Sequence, residues 1–209
     1  METPVINFRD QRRERIVEVA RQVFFEAGYA NATMSMISER LGGSKATLYA
    51  YFKSKEDLFA AIIHDQCAFM QAMGKLPTDR SDLRQTLTAL GREILKLVLS
   101  DQAIRTHQLV IEEAKRNPEL AQQFNAIIET RARFGAMQML VEANAMGQIH
   151  TPDLDEAKRV FGANLFGKLH MERVMGLRPE LTEAEINRQV DLAVDVFITY
   201  YTRDLPSRA

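Results

Sequence analysis

The residues from Ser44 to Tyr51 carry the side chains of this chain that are best suited to bind nucleic acid. Hydroxyl and ammonium groups bind phosphate oxygens, and polar side chains also reach base edges in the major groove. Leu48 is the large aliphatic residue of this run, so it is expected to point into the protein and to leave the others outside. The residues predicted to lie in or beside the major groove are Lys45, Ala46, Thr47, Tyr49 and Tyr51.

A helix-turn-helix is the arrangement that would present this run to DNA. Thr33 can cap a first short helix, and Ile37 and Leu41, four residues apart, give that helix an inward apolar face. Gly42 can adopt the left-handed conformation that ends a helix, and Ser44 offers an oxygen to the free N–H groups that open the next one. The segment therefore predicts two short helices, of which the second enters the major groove. The alternative is an ordinary helical hairpin with half-buried tyrosines.

Helices are predicted on both sides of this hairpin. Apolar residues at helical spacing indicate a preceding helix that ends at Gly28. Ser54 and Asp57 match a capping box, which predicts a long helix that begins near Lys55. A helix N-terminus beside a lysine is a natural phosphate site, because free N–H groups and the helix dipole both favour an anion. The apolar positions of the preceding helix are Ile16, Val19, Ala20, Val23, Phe24 and Ala27.

Arg12 and Arg13 lie ahead of that apolar pattern and are the preferred further DNA contacts. Arginine binds backbone phosphates and narrow minor grooves. The alternative is a solvated N-terminal segment, in which Asp10 and Glu14 dilute the positive charge.

Composition limits the classes to which this chain can belong. Its 209 residues, 46% of them hydrophobic, suffice for one or two globular domains. The net charge is −1, so attraction to DNA must come from a local patch. Cys67 is the single cysteine, which excludes an internal disulfide. Because the sequence shows no secretory signal and no apolar run of membrane-spanning length, a cytoplasmic protein without membrane association is predicted.

Catalysis is the competing class of function. The four histidines, His64, His107, His150 and His170, lie far apart in the sequence and match no metal-binding or nucleophile signature. No enzyme activity, cofactor or metal is therefore expected.

The remainder of the chain shows helical patterns without strand-like alternation. A polar segment from Gly74 to Asp82 predicts a loop, and Thr182 with Glu185 forms a further capping box. An all-α fold of about nine helices is predicted, with a three-helix DNA-binding domain over residues 1–55 and a second helical domain over residues 56–209, to which the family resemblance given below assigns effector binding and dimerisation. The later helices are predicted over residues 83–99, 101–115, 118–146, 154–175 and 182–203.

The last of these helices has almost no polar face, whereas a surface helix is normally amphipathic. One side can pack on its own subunit while the other needs a second cover, which a homodimer would supply. The alternative is a helix buried within the monomer. The predicted interface residues lie on this helix and the one before it: Phe161, Leu165, Leu169, Val190, Val194, Phe197, Ile198 and Tyr201.

The N-terminal motifs resemble those of the TetR/AcrR family of one-component transcriptional regulators over residues 9–62. The sequence departs from the family pattern at Ser38, where alanine is usual, and at Gly43, where valine is commoner. Gly43 puts the angle of the second short helix in question, because it adds turn freedom and lacks a side chain. The resemblance is carried by Arg15, Ile16, Phe24, Gly28, Tyr29, Thr33, Ile37, Gly42, Ser44, Lys45, Thr47, Leu48, Tyr49, Tyr51, Phe52, Ser54, Lys55 and Glu56.

The resemblance implies a homodimer that places paired recognition helices on palindromic double-stranded DNA, with Thr33, Ser44 and Lys55 as phosphate anchors. It also implies a repressor that a small apolar or amphipathic effector releases from its operator. The segment from Gln108 to Leu120 is similar to the C-terminal domain of AefR-like regulators, which implies an effector-binding domain. An effector-binding activator and a helical interaction module without DNA binding are the alternatives.

The effector is expected among the middle helices, which are rich in methionine and phenylalanine, because methionine adapts to varied apolar ligands. The same residues would also suit a plain core, and composition does not separate the two interpretations. The candidate pocket residues are Phe69, Met73, Leu109, Glu113, Phe134, Met137, Phe166 and His170.

Overall fold

The computed structural model describes residues 8–73, 82–132 and 137–202, with side chains over 8–65, 82–130 and 137–202. Every regular element in these ranges is an α-helix, which confirms the all-α prediction. Most of the predicted loop from Gly74 to Asp82 lies outside the described residues. The helices are α1 (Phe8–Asn31), α2 (Met34–Leu41), α3 (Lys45–Tyr51), α4 (Lys55–Met73), α5 (Leu83–Val98), α6 (Asp101–Glu113), α7 (Pro118–Ala132), α8 (Gln138–Ala145), α9 (Leu154–Phe166), α10 (Leu169–Val174) and α11 (Glu183–Tyr201).

The described residues thus form eleven helices, where about nine were predicted. One cause is Gly167, which separates α9 from α10 in the region predicted as a single helix. Its φ of 48° and ψ of −140° are incompatible with helix continuation, and only glycine adopts such a conformation at little cost. The predicted helix over residues 118–146 corresponds to α7 and α8, which flank residues outside the description.

The chain divides into two compact units that interleave along the sequence. Unit 1 comprises Met1–Gln66 and Arg105–Ile127, and unit 2 comprises Cys67–Ile104 and Ile128–Ala209. Each unit is therefore assembled from two separate stretches of chain. The sequence-based domain boundary between residues 55 and 56 stays a prediction.

In unit 1, α1 buries the apolar face that its helical periodicity predicts. Gly28, with φ 77° and ψ 159°, breaks the helical path where a terminating residue was expected, and Tyr29 follows it into the interior. The Tyr29 ring stacks on Phe24 at a centroid distance of 5.5 Å and meets Phe59 of α4 edge-on at 5.2 Å. This aromatic cluster fixes the end of α1 against α4.

In unit 2, the core forms where α5, α9 and α11 pack together. Gly91 of α5 lies so close to α11 that a Cβ atom there would stand 3.1 Å from Val190 Cγ1. The capping box predicted at Thr182 and Glu185 is present and opens α11. The close packing at Gly91 therefore places the inner face of α11 directly against α5.

Candidate nucleic-acid interface

The turn between α2 and α3 is built by short-range hydrogen bonds that the sequence predicts. Thr33 caps α2, since its Oγ1 accepts a hydrogen bond of 3.2 Å from the Met36 N–H. Gly42 ends α2 in the left-handed conformation, with φ 64° and ψ 26°. Ser44 then caps α3 by accepting from the Thr47 N–H at 3.2 Å. Thr33 and Ser44, both predicted phosphate anchors, thus have capping roles in the structure.

The orientation of α3 separates one buried residue from an accessible polar surface. Leu48 is only 1% exposed, which matches its predicted role as the inward anchor. Tyr49 beside it is 49% exposed. Lys45 and Ala46 are also exposed, and Thr47 and Tyr51 are half-buried. All five residues predicted to read DNA are therefore accessible at least in part.

The ammonium group of Lys55 is engaged within unit 1. Lys55 Nζ donates a hydrogen bond of 2.8 Å to the Tyr29 carbonyl oxygen and lies 4.3 Å from the centre of the Tyr29 ring. Tyr29 in turn donates to Glu56 Oε1 at 3.1 Å. The pKa of Tyr29 is raised, first by burial and then by the negative charges of Glu56 and Glu113. A phosphate bound by Lys55 would have to compete with these contacts. Lys55 and Tyr29 lie 26 residues apart, so no short sequence pattern predicts their contact.

Arg12 and Arg13, adjacent in sequence, have different surroundings. Arg13 Nη1 lies 3.6 Å from Asp65 Oδ1 of α4, and its guanidinium lies 5.5 Å from the centre of the Phe52 ring. The Arg12 side chain makes no hydrogen bond or ion pair with another described residue, and its Nη2 atom lies against Gly43 in the α2–α3 turn. Of the two predicted contacts, Arg12 is therefore the one whose charge is unpaired within the described part of the chain.

The candidate effector residues are distributed over both units. Leu109 and Glu113 are buried residues of unit 1, while Met137, Phe166 and His170 are half-buried residues of unit 2. Burial lowers the pKa of His170. The side chains of Phe69, Met73 and Phe134 lie outside the described residues. No shared pocket therefore follows from this set.

Two cavities differ in whether they could hold a small molecule. Glu113 lines an open cleft of about 380 Å³ in unit 1, together with Gly28, Tyr29 and Arg116. This volume is in the range of small-molecule sites. An apolar cavity between Leu87 and Leu140 in unit 2 measures about 10 Å³, which is room for a single water molecule.

Most of the predicted dimer residues are buried within a single chain. Six of them are buried within a single chain because the same α9 and α11 side chains form the core of unit 2, and a buried side chain offers no surface to a second subunit. Leu169 and Ile198 are half-buried. The exposed apolar face of α11 instead consists of Leu192, Val196 and Tyr200, which are 55%, 38% and 41% exposed. The six buried residues are Phe161, Leu165, Val190, Val194, Phe197 and Tyr201.

The described part of the chain shows neither a metal-binding cluster nor a helix suited to span a membrane. Within the described residues, no group of three or more histidine, cysteine, aspartate or glutamate side chains could hold a metal ion. Among the helices of that same part of the chain, none combines the length and the apolar character needed to cross a bilayer.

Two short helices, a tight glycine turn and an exposed polar face on the second helix define a helix-turn-helix DNA-binding protein. Residues 16–62 match the family described as bacterial regulatory proteins, tetR family, and residues 85–203 match the AefR-like transcriptional repressor C-terminal domain. The chain therefore belongs to the TetR family of transcriptional regulators, as its motifs indicated.

Individual relatives agree with this assignment. The transcriptional repressor AcnR of Corynebacterium diphtheriae is 32% identical over 115 residues, which are 49% of this chain and 60% of AcnR. The regulator UidR of Escherichia coli K12 is 27% identical over 184 residues, or 87% of each chain. The solved structure of the flavonoid-responsive regulator FrrA has a TM-score of 0.76 and 30% identity, covering 96% of this chain and all of that one.

Proposed function

We propose that this protein is a transcriptional repressor that binds a palindromic operator as a homodimer and leaves it when a small apolar or amphipathic effector binds. The observation that carries the proposal is the accessible face of α3. Leu48 is buried and packs α3 into unit 1, while Lys45 and Tyr49 are exposed to solvent. Side chains of this kind bind phosphates and base edges when a short helix enters the major groove.

The contacts have distinct proposed roles. Lys45 and Arg12 would bind phosphates, because each is a cation without an ion pair to another described residue. Thr47, Tyr49 and Tyr51, with Ala46 beside them, would face base edges or the neighbouring backbone. Phosphate contacts position the protein, and base contacts select the sequence.

The exposed stripe of α11 is the proposed dimer contact. Leu192, Val196 and Tyr200 follow each other at intervals of four residues, so they lie along one face of the helix. A second copy would cover this stripe by two-fold symmetry, in which each subunit contributes the same surface. The paired α3 helices would then address the two halves of a palindrome.

The effector proposal rests on the AefR-like C-terminal match and on FrrA, a relative that is named as flavonoid-responsive. Flavonoids are aromatic and amphipathic, which agrees with the proposed class of effector. An effector that binds more tightly to a form unable to bind DNA lowers DNA affinity by that difference, and DNA lowers effector affinity by the same factor.

The test begins with selection of duplexes from a random-sequence pool by the full-length protein. We expect a palindrome, bound by a dimer. Lys45→Ala and Tyr49→Ala should weaken its binding, whereas Lys115→Ala, which removes an exposed lysine of unit 1 outside the helix-turn-helix, should not. Failure to recover any sequence above the background of the pool would overturn the proposal.

Regulation is tested separately. Mass spectrometry of small molecules retained by the purified protein identifies effector candidates, and each is titrated into the complex with the selected duplex. A repressor should reduce transcription from a promoter that overlaps this duplex, and a candidate effector should restore it. Transcription that instead rises when the protein binds would identify an activator.

A further inference from the structure

Gly43 lies in the α2–α3 turn, but the backbone conformation of the turn does not require glycine at this position. It follows Gly42, whose positive φ ends α2, but Gly43 itself does not have a positive φ. A residue with a side chain would therefore be tolerated by the backbone at position 43. A reason for glycine must lie in what surrounds it.

The described atom nearest to the space beside Gly43 belongs to the Arg12 side chain. A Cβ atom at position 43 would stand 3.2 Å from Arg12 Nη2, and no other described atom outside the adjacent residues lies within 4 Å. A contact this short requires the neighbour to move by a few tenths of an ångström even for alanine. The two branches of a valine would extend further into the same space and displace the guanidinium.

We propose that glycine at position 43 leaves room for the Arg12 guanidinium beside the α2–α3 turn, where Arg12 acts as a phosphate contact next to the recognition helix. The inference rests on the proposed DNA-binding function. Arg12 is half-buried, and its charge makes no ion pair or hydrogen bond within the described residues. Arg13, by contrast, lies beside Asp65 of α4 and over the ring of Phe52, which follows α3.

A double-mutant cycle tests this inference with wild type, Arg12→Ala, Gly43→Val and the double variant. The probes are the duplex selected by the wild-type protein and an unrelated duplex of equal length. Loss of one charge-assisted phosphate contact should weaken binding about tenfold, and a dimer that loses the contact in both subunits should bind about a hundredfold more weakly. We expect this loss for each single variant on both duplexes, and we expect no further loss in the double variant, because both changes remove the same contact.

The salt dependence of binding gives an independent measurement. Each phosphate contact contributes about 0.9 to the slope of log affinity against log salt, so a dimer should lose about 1.8 in either single variant. The double variant should have the same slope as the single ones. Gly43→Ala, whose contact is milder, should fall between wild type and Gly43→Val.

The controls distinguish this inference from a tilt of α3 and from failure of the proposed function. Arg15→Ala removes an exposed arginine of α1 that does not contact Gly43, so its effect should multiply with that of Gly43→Val. Circular dichroism of each variant verifies that the helices remain. If Gly43→Val acts by tilting α3, it will change the preferred sequence and Arg12→Ala will still cost its full factor in that background, which would refute the role of Gly43. Wild-type protein that selects no duplex from the random pool would overturn the proposed function as well.

Discussion

Leu48 and Tyr49 are neighbours in α3, and substitution of each should affect a different property of the protein. Leu48 is fully buried in unit 1, so Leu48→Ala should lower the free energy of unfolding by about 2–5 kcal/mol through lost burial and an unfilled cavity. Tyr49 is half exposed, and its side chain makes no hydrogen bond to another described residue. Tyr49→Ala should therefore change that free energy by about 0.5 kcal/mol or less.

DNA binding should respond in the opposite order. Tyr49→Ala removes a proposed base or phosphate contact worth about 1–3 kcal/mol in each subunit, which corresponds to about 5- to 150-fold in affinity per subunit. At temperatures where Leu48→Ala remains folded, this variant should lose less free energy of DNA binding than free energy of unfolding, because Leu48 does not contact DNA directly. Hydrogen exchange at the α3 amides should be faster in Leu48→Ala and unchanged in Tyr49→Ala.

The assays are urea unfolding, hydrogen exchange and gel shift on the selected duplex, all with the full chain. Tyr49→Phe is the conservative variant that keeps the ring and removes the hydroxyl. If Tyr49→Ala destabilises the protein as much as Leu48→Ala does, the helix is rotated relative to its described position. If Tyr49→Ala is as stable as wild type and binds DNA equally well, the exposed face of α3 does not meet DNA.

Three further predictions address assembly, contact roles and pH. Leu192→Glu should shift sedimentation from dimer to monomer without loss of helix, whereas Asp191→Lys, an exposed change off the apolar stripe, should leave the dimer intact; a dimer in both would refute the α11 contact. Lys45→Ala should weaken binding equally on all duplexes while Thr47→Ala alters sequence preference in repeated selection, and equal effects on every sequence would contradict this division. Burial lowers the pKa of His170, so the unfolded chain takes up a proton near its ordinary pKa of about 6.5 before the folded chain does, and stability falls as the pH drops below that value. His170→Gln should therefore lose less thermal stability than wild type between about pH 7.5 and about pH 5.5, and identical losses would show that another group is responsible.

Local hydrogen bonding explains why the helix-turn-helix could be predicted from sequence. The caps at Thr33 and Ser44 and the left-handed Gly42 depend on residues within a few positions of each other, so their chemistry is visible in the residue types. Leu48 could be assigned to the interior for the same reason, since it is the large aliphatic residue of a short polar run.

Contacts between distant residues could not be predicted in this way. The bond from Lys55 to the Tyr29 carbonyl depends on how α4 packs against the end of α1. The division of α11 into an inner and an outer face depends on α5 and α9, and an apolar helix offers no polar residues to mark which side faces out. For this reason the sequence pattern predicts an interface position for Phe197, which is buried within the chain, and does not single out Leu192, which is exposed.

The state of Lys55 in the DNA complex can be determined from the salt dependence of the wild-type protein. A net charge of −1 provides little general attraction to DNA, so the slope should mainly count specific phosphate contacts. If Arg12 and Lys45 are the phosphate-binding cations of each subunit, a dimer makes about four contacts and the slope is about −3.6. If Lys55 leaves the Tyr29 carbonyl to bind DNA, there are about six contacts and the slope is about −5.4. A slope near −3.6 that Lys55→Ala leaves unchanged would mean that Lys55 supports the end of α1 and not the DNA backbone.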